Sequence, residues 1–168
     1  MNTQQIFGLQ VALSLLVYGL AARWYVSPRL AGLPLTAALQ PLLLPHAFRH
    51  VGMVFLVPTV VGGVLPPGFA RPAAYGDLAA GLLALAAIAA LRAGSAFALP
   101  LTWVFNLAGF LDLINAFYQG LSNGVKLGAA YYIPTVIVPA LVVTHLMIFR
   151  LLLRPPGRRG HLPAPSQM

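Results

Sequence analysis

The chain of 168 residues has no cysteine and only two acidic side chains, Asp77 and Asp112. Without cysteine there is no disulfide, no iron–sulfur cluster, no thiolate metal site and no cysteine nucleophile. Charged residues make up 7% of the chain, against roughly 25% in soluble globular domains. Motifs are lacking as well. The serines stand in no GxSxG context, and neither GxGxxG nor a phosphate-binding loop is present, which argues against serine-hydrolase and nucleotide chemistry. Enzymatic activity is therefore not the leading expectation.

What fills the sequence is hydrocarbon: 60% of its residues are hydrophobic. A water-soluble fold of this length needs more polar surface than these side chains supply, so the excess faces lipid. The formal net charge of +8 does not point to nucleic acid, because no basic–aromatic run accompanies it. The basic residues lie in loops and near the C-terminus, where Lys and Arg mark the cytoplasmic side of membrane proteins.

A membrane helix needs about 20 apolar residues. Five segments meet that requirement, at roughly 6–25, 45–64, 77–93, 98–119 and 129–152, as judged by hydropathy. The first lacks the basic n-region of a secretory signal and reads as a membrane helix. Gly, Pro, Asn and Ser mark the breaks, as in "LPPGFARPAAYGD" and "QGLSNGVKLG". Asp77, directly before an Ala/Leu run, is expected as the N-cap of the third helix. That Ala-rich third helix should pack closely inside a bundle.

The expected fold is thus an all-α membrane protein, a compact bundle of about five transmembrane helices. In this topology Arg23, Arg29, Arg92, Arg150, Arg154, Arg158 and Arg159 fall on one side, and only Arg71 and Lys126 on the other. The positive-inside rule then places the N-terminus outside and the C-terminus in the cytoplasm. Residues 1–153 form one membrane domain and residues 154–168 a basic tail against anionic headgroups. Nine arginines against one lysine suggest a GC-rich bacterial source, and hence the plasma (inner) membrane.

Polar groups inside lipid are costly and need a partner or a purpose. At 100° per residue, His46, Arg49 and His50 share one stripe of a helix. Asp112, Asn115 and Gln119 share another, beside Asn106 and Thr102, and Tyr131, Thr135 and His145 form a third. Turned inward, the stripes make a polar interior in which Asp112, Arg49, Asn106 and Asn115 are the candidate ligand or proton site. Depth depends on register. A span starting at Pro45 suits proline's preference for the first helical position and the bias of Leu44 away from helix. It would put Arg49 at the cytoplasmic edge, with residues 34–44 interfacial. The rival register starts near Pro34, runs through Pro41 and Pro45, and brings Arg49 to the depth of Asp112. The edge register is the expected one.

His46 and His50, spaced i and i+4, with His145 as a third nitrogen, form a candidate set for haem b or a divalent metal. Arg49 between them disfavours a cation but suits a haem propionate. The leading functional expectation is an inward-facing polar cavity that binds or translocates a small ligand, lipid headgroup or proton. Two alternatives stand beside it: a haem or metal redox protein, and an accessory subunit of a larger membrane complex. The expected partners are membrane lipids, with other membrane subunits or a second copy, and no nucleic acid.

Overall fold

A computed structural model describes residues 1–154, so most of the tail expected at 154–168 lies outside the described residues. Every regular element among these is helical. Four helices are long and apolar enough to cross a membrane: α1 (Thr3–Ala31), α4 (Pro67–Arg92), α5 (Ala98–Ser122) and α6 (Gly128–Leu152). Between α1 and α4 lie α2 (Leu35–Ala47), a 3-10 segment (Phe48–Leu56) and the short α3 (Pro58–Val61).

Local chemistry explains the boundaries. At the start of α1, the Asn2 side chain accepts from the Gln5 N–H and the Gln5 side chain accepts from the Asn2 N–H, both at 2.9 Å. Two otherwise unpaired backbone donors are satisfied reciprocally. Pro67 opens α4 from its N-cap Pro66, a position where a missing N–H costs nothing. The turn after α4 is closed by Gly94 at φ 63°, in the left-handed region.

Two expectations are corrected here. Asp77 does not cap a helix. Helix α4, which corresponds to the expected third span, starts ten residues earlier, at Pro67, and Asp77 projects from its interior. The edge register is also wrong. Helix α2 begins at Leu35, passes through Pro41 and Pro45 and continues without a break into the 3-10 segment. Each internal proline removes one backbone bond. What outweighs that loss is packing: Ala38, Leu39, Leu42 and Leu43 are almost fully buried where α2 meets α4 and α6. The ladder tightens to 3-10 directly after the second proline, where it is already weakened.

Helix α4 carries small residues on its inner face. Ala73, Ala74, Ala80, Gly81, Ala84 and Ala87 are buried, and this stripe lets α2, the 3-10 segment and α5 approach closely. Helix α1 is attached differently. It packs on α6 and buries almost none of its apolar surface. Two apolar cores result. One is built on Leu39, Leu43, Ala84, Ala87, Phe105 and Ile148, the other on Phe55, Leu65, Phe69, Ala70 and Ala74.

The polar residues lie between those cores, and the helix registers set their depth. Asp77 is ten residues in from Pro67 and Asp112 ten residues in from Ser122, in helices joined by a short turn. At 1.5 Å per residue both stand about 15 Å from the same end of the bundle. Arg49 is seven residues from Leu56 in the 3-10 segment, which at about 2.0 Å per residue is about 14 Å.

Candidate functional site

Arg49 reaches that common depth from the 3-10 segment and meets both carboxylates of the chain. Its Nε donates to Asp77 Oδ1 at 2.7 Å and its Nη2 to Asp112 Oδ2 at 2.5 Å. Its Nη1 donates to the Gly109 carbonyl at 2.8 Å. The guanidinium is fully buried, while Asp77 and Asp112 keep 13% and 21% of their side-chain surface exposed. Three helical segments are thus pinned together by one planar cation whose fork fits several acceptors at once.

Glycines make the room. A Cβ on Gly52, one turn beyond Arg49, would run into the Asp77 carboxylate, and a Cβ on Gly76 would run into the Asp112 carboxylate. At Gly109 it would lie 3.0 Å from Arg49 Nη1 and 3.1 Å from His145 Cε1. No larger residue fits at Gly52 or Gly76 without displacing a member of the ion-pair cluster.

Beside this cluster, His46 and His145 are fully buried with ring centroids 4.1 Å apart. His145 Nδ1 lies 2.7 Å from Asn106 Oδ1, and the Asn106 amide is oriented by its own bond to the His145 carbonyl. Nδ1 therefore carries the proton, and Nε2 is a bare lone pair. The Thr144 hydroxyl lies 3.0 Å from His46 Nε2, and 3.0 and 2.9 Å from the Ala140 and Leu141 carbonyls of its own helix. His46 Nδ1 and His145 Nε2 have no hydrogen-bond partner among the described residues.

The expected haem or metal set is only partly assembled. His50 is exposed, with its Nδ1 2.9 Å from the Ala47 carbonyl, and takes no part. No group of three possible ligands occurs among the described residues. The 4.1 Å spacing of the other two rings, flanked by Phe105 and Phe110, leaves no space for a porphyrin plane between them. The residues as placed do not fit a bis-histidine haem.

Of the other expected site residues, Arg49 and Asp112 are in direct contact. Asn106 belongs to the histidine pair instead. Asn115 lies on the exposed side of α5 and accepts from Gln119 Nε2 at 3.1 Å, so it is not part of the centre. The sequence reading missed Asp77 as a site residue, along with Gly52, Gly76, the Gly109 carbonyl and Thr144. One signal for Asp77 was present: with two acids in the chain and one arginine inside an apolar run, all three are candidates for mutual neutralisation.

Asp77 has a second neighbour. A cavity of about 550 Å³ opens at the end of the bundle formed by the start of α1, the 3-10 segment and the connection after α5. Asp77 lines it together with the aromatic residues Phe7, Phe55, Phe69, Phe117 and Tyr131, and Lys126 lines it from an exposed connection. Tyr131 also donates to Gln10 Oε1 at 2.7 Å, tying α1 to α6 beside the cavity.

Fold and site together define a helical protein of multi-pass membrane type with a buried arginine–dicarboxylate centre next to an aromatic cavity. The chain belongs to the family described as Domain of unknown function (DUF8737), whose model matches residues 6–153. No curated protein and no solved structure matches it.

Proposed function

We propose that this protein is a binding module of a bacterial plasma membrane, whose cavity takes up a small ligand and holds it at the arginine–dicarboxylate centre. In this reading the chain crosses the bilayer five times, with the α2/3-10 rod as the second crossing. The N-terminus is outside and the C-terminus cytoplasmic. The observation that carries the proposal is the double role of Asp77, which both pairs with Arg49 and lines the cavity. Mostly apolar walls with a few convergent polar groups are the usual character of small-molecule sites. An ionisable group kept at mid-depth, partly exposed to a cavity, is the usual mark of function inside a membrane.

The test is a thermal-shift screen of small amphiphiles against the protein in nanodiscs, beside the cavity-filling variant Ala116→Phe. Ala116 lines the cavity one turn beyond Asp112 on α5, and its methyl group takes no part in the side-chain hydrogen bonds of Arg49 and the two aspartates. A ligand that binds only the native state raises the melting temperature. At least one compound should stabilise the wild type and leave Ala116→Phe unchanged. A screen in which the two proteins respond alike overturns the proposal.

A further inference from the structure

With both carboxylates ionised, the ion-pair cluster is one positive charge short. Arg49 contributes one positive charge and Asp77 and Asp112 two negative ones, and no other acid exists in the chain. The histidines beside it do not balance the deficit. His145 Nε2 is buried, close to the same glycine as Arg49 Nη1, and has no acceptor for a second proton among the described residues. Lys126 also lines the cavity, but from an exposed connection, where water screens its charge. A negative site in a low-dielectric surround attracts a counter-charge far more strongly than one in water.

The surplus is presented to the cavity, because Asp77 is the carboxylate that lines it. The other walls are ring-bearing: Phe7, Phe55, Phe69, Phe117 and Tyr131. Aromatic faces attract cations through their quadrupole, and rings around one anionic group are the usual way to hold an organic ammonium ion. An inorganic cation is a poorer match, since these walls supply few oxygens to replace its hydration shell.

Resting on the binding reading above, we infer that the ligand is a lipophilic organic monocation, its charge set against Asp77 and its apolar body against the ring cluster. The cavity takes this ion from the end of the bundle that carries the 57–66 and 123–127 connections.

The experiment compares tetraphenylphosphonium with tetraphenylborate, ions of nearly equal size and shape and opposite charge. Equilibrium binding to the protein in nanodiscs is measured, with binding to empty nanodiscs subtracted. The cation should bind about tenfold or more tighter than the anion. Asp77→Asn should bring that ratio close to one, and Phe117→Leu should weaken the cation several-fold with little effect on the anion. Should Asp77→Asn fail to fold, the wild-type ratio and Phe117→Leu still decide. Equal binding of the two ions, or preference for the anion, overturns the cation assignment and leaves the binding reading standing. Binding of neither ion also overturns it, and the binding reading then falls only if the Ala116→Phe screen is empty as well.

Discussion

Arg49 is the residue on which the interior depends, and its removal has a definite cost. Breaking a buried ion pair by deleting one partner leaves uncompensated charge, and typically costs about 3–5 kcal/mol. Arg49→Met leaves two carboxylates facing each other across the gap and should lower stability by about that amount. The triple variant Arg49→Met/Asp77→Asn/Asp112→Asn removes the charge altogether and should recover most of the loss. Denaturation in mild detergent measures both, and a triple variant no more stable than Arg49→Met would refute the ion-pair account. The glycines give a finer test. Gly76→Ala forces a methyl group against the Asp112 carboxylate and should cost about 1–3 kcal/mol by overpacking. Gly68→Ala, with nothing within 4 Å, should be neutral or slightly stabilising, because alanine favours a helix over glycine. Arg49 and Asp112 were legible as site residues because charge in an apolar run is visible in one dimension. Asp77 was not, because an acid before an Ala-rich run reads equally well as a cap.

At the scale of the element, the α2/3-10 rod shows where local rules give way. Read alone, Pro45 is a natural helix start and Leu44 a poor helix residue. Packing decides otherwise, since Leu39 and Leu43 are fully buried one turn apart on the face that meets α4 and α6. The same close packing makes the small residues of α4 sensitive. Ala84 is fully buried, whereas Leu82, two residues away, is 59% exposed. Ala84→Leu should cost about 1–3 kcal/mol and lower the yield of monodisperse protein in detergent, while Leu82→Ala should change little. Thermal unfolding of the two variants side by side checks this. The prominence of alanine along this helix predicted its inner position correctly, because small side chains are what allow several helices to approach one.

For the whole molecule, the number of bilayer crossings is read by site-directed labelling, which the absence of cysteine makes clean. If the α2/3-10 rod crosses, Gly32 and Ser95 lie on the same, cytoplasmic side, and Asn123 lies on the other. If the rod does not cross, Gly32 and Ser95 fall on opposite sides. Single variants Gly32→Cys, Ser95→Cys and Asn123→Cys, exposed to a membrane-impermeant thiol reagent in intact cells, distinguish the two. Only Asn123→Cys should react before permeabilisation, and reaction at either of the other two would refute the proposed orientation. In the five-crossing arrangement the connection after α5, and with it the cavity, face outward.

The sequence by itself determined the apolar, helical, multi-pass character of the chain and the approximate positions of four long helices. Those features follow from composition and from the length of uninterrupted apolar runs, which are properties of neighbouring residues. It also narrowed the charged candidates, because a carboxylate or guanidinium in hydrocarbon is expensive wherever the chain folds. The tertiary structure alone decided that α2 continues through its prolines, that Asp77 joins Asp112 on a single arginine, and that His46 faces His145 while His50 turns away. Each of these rests on groups distant in sequence being brought to one depth, where packing and charge neutralisation outweigh what any short stretch prefers on its own.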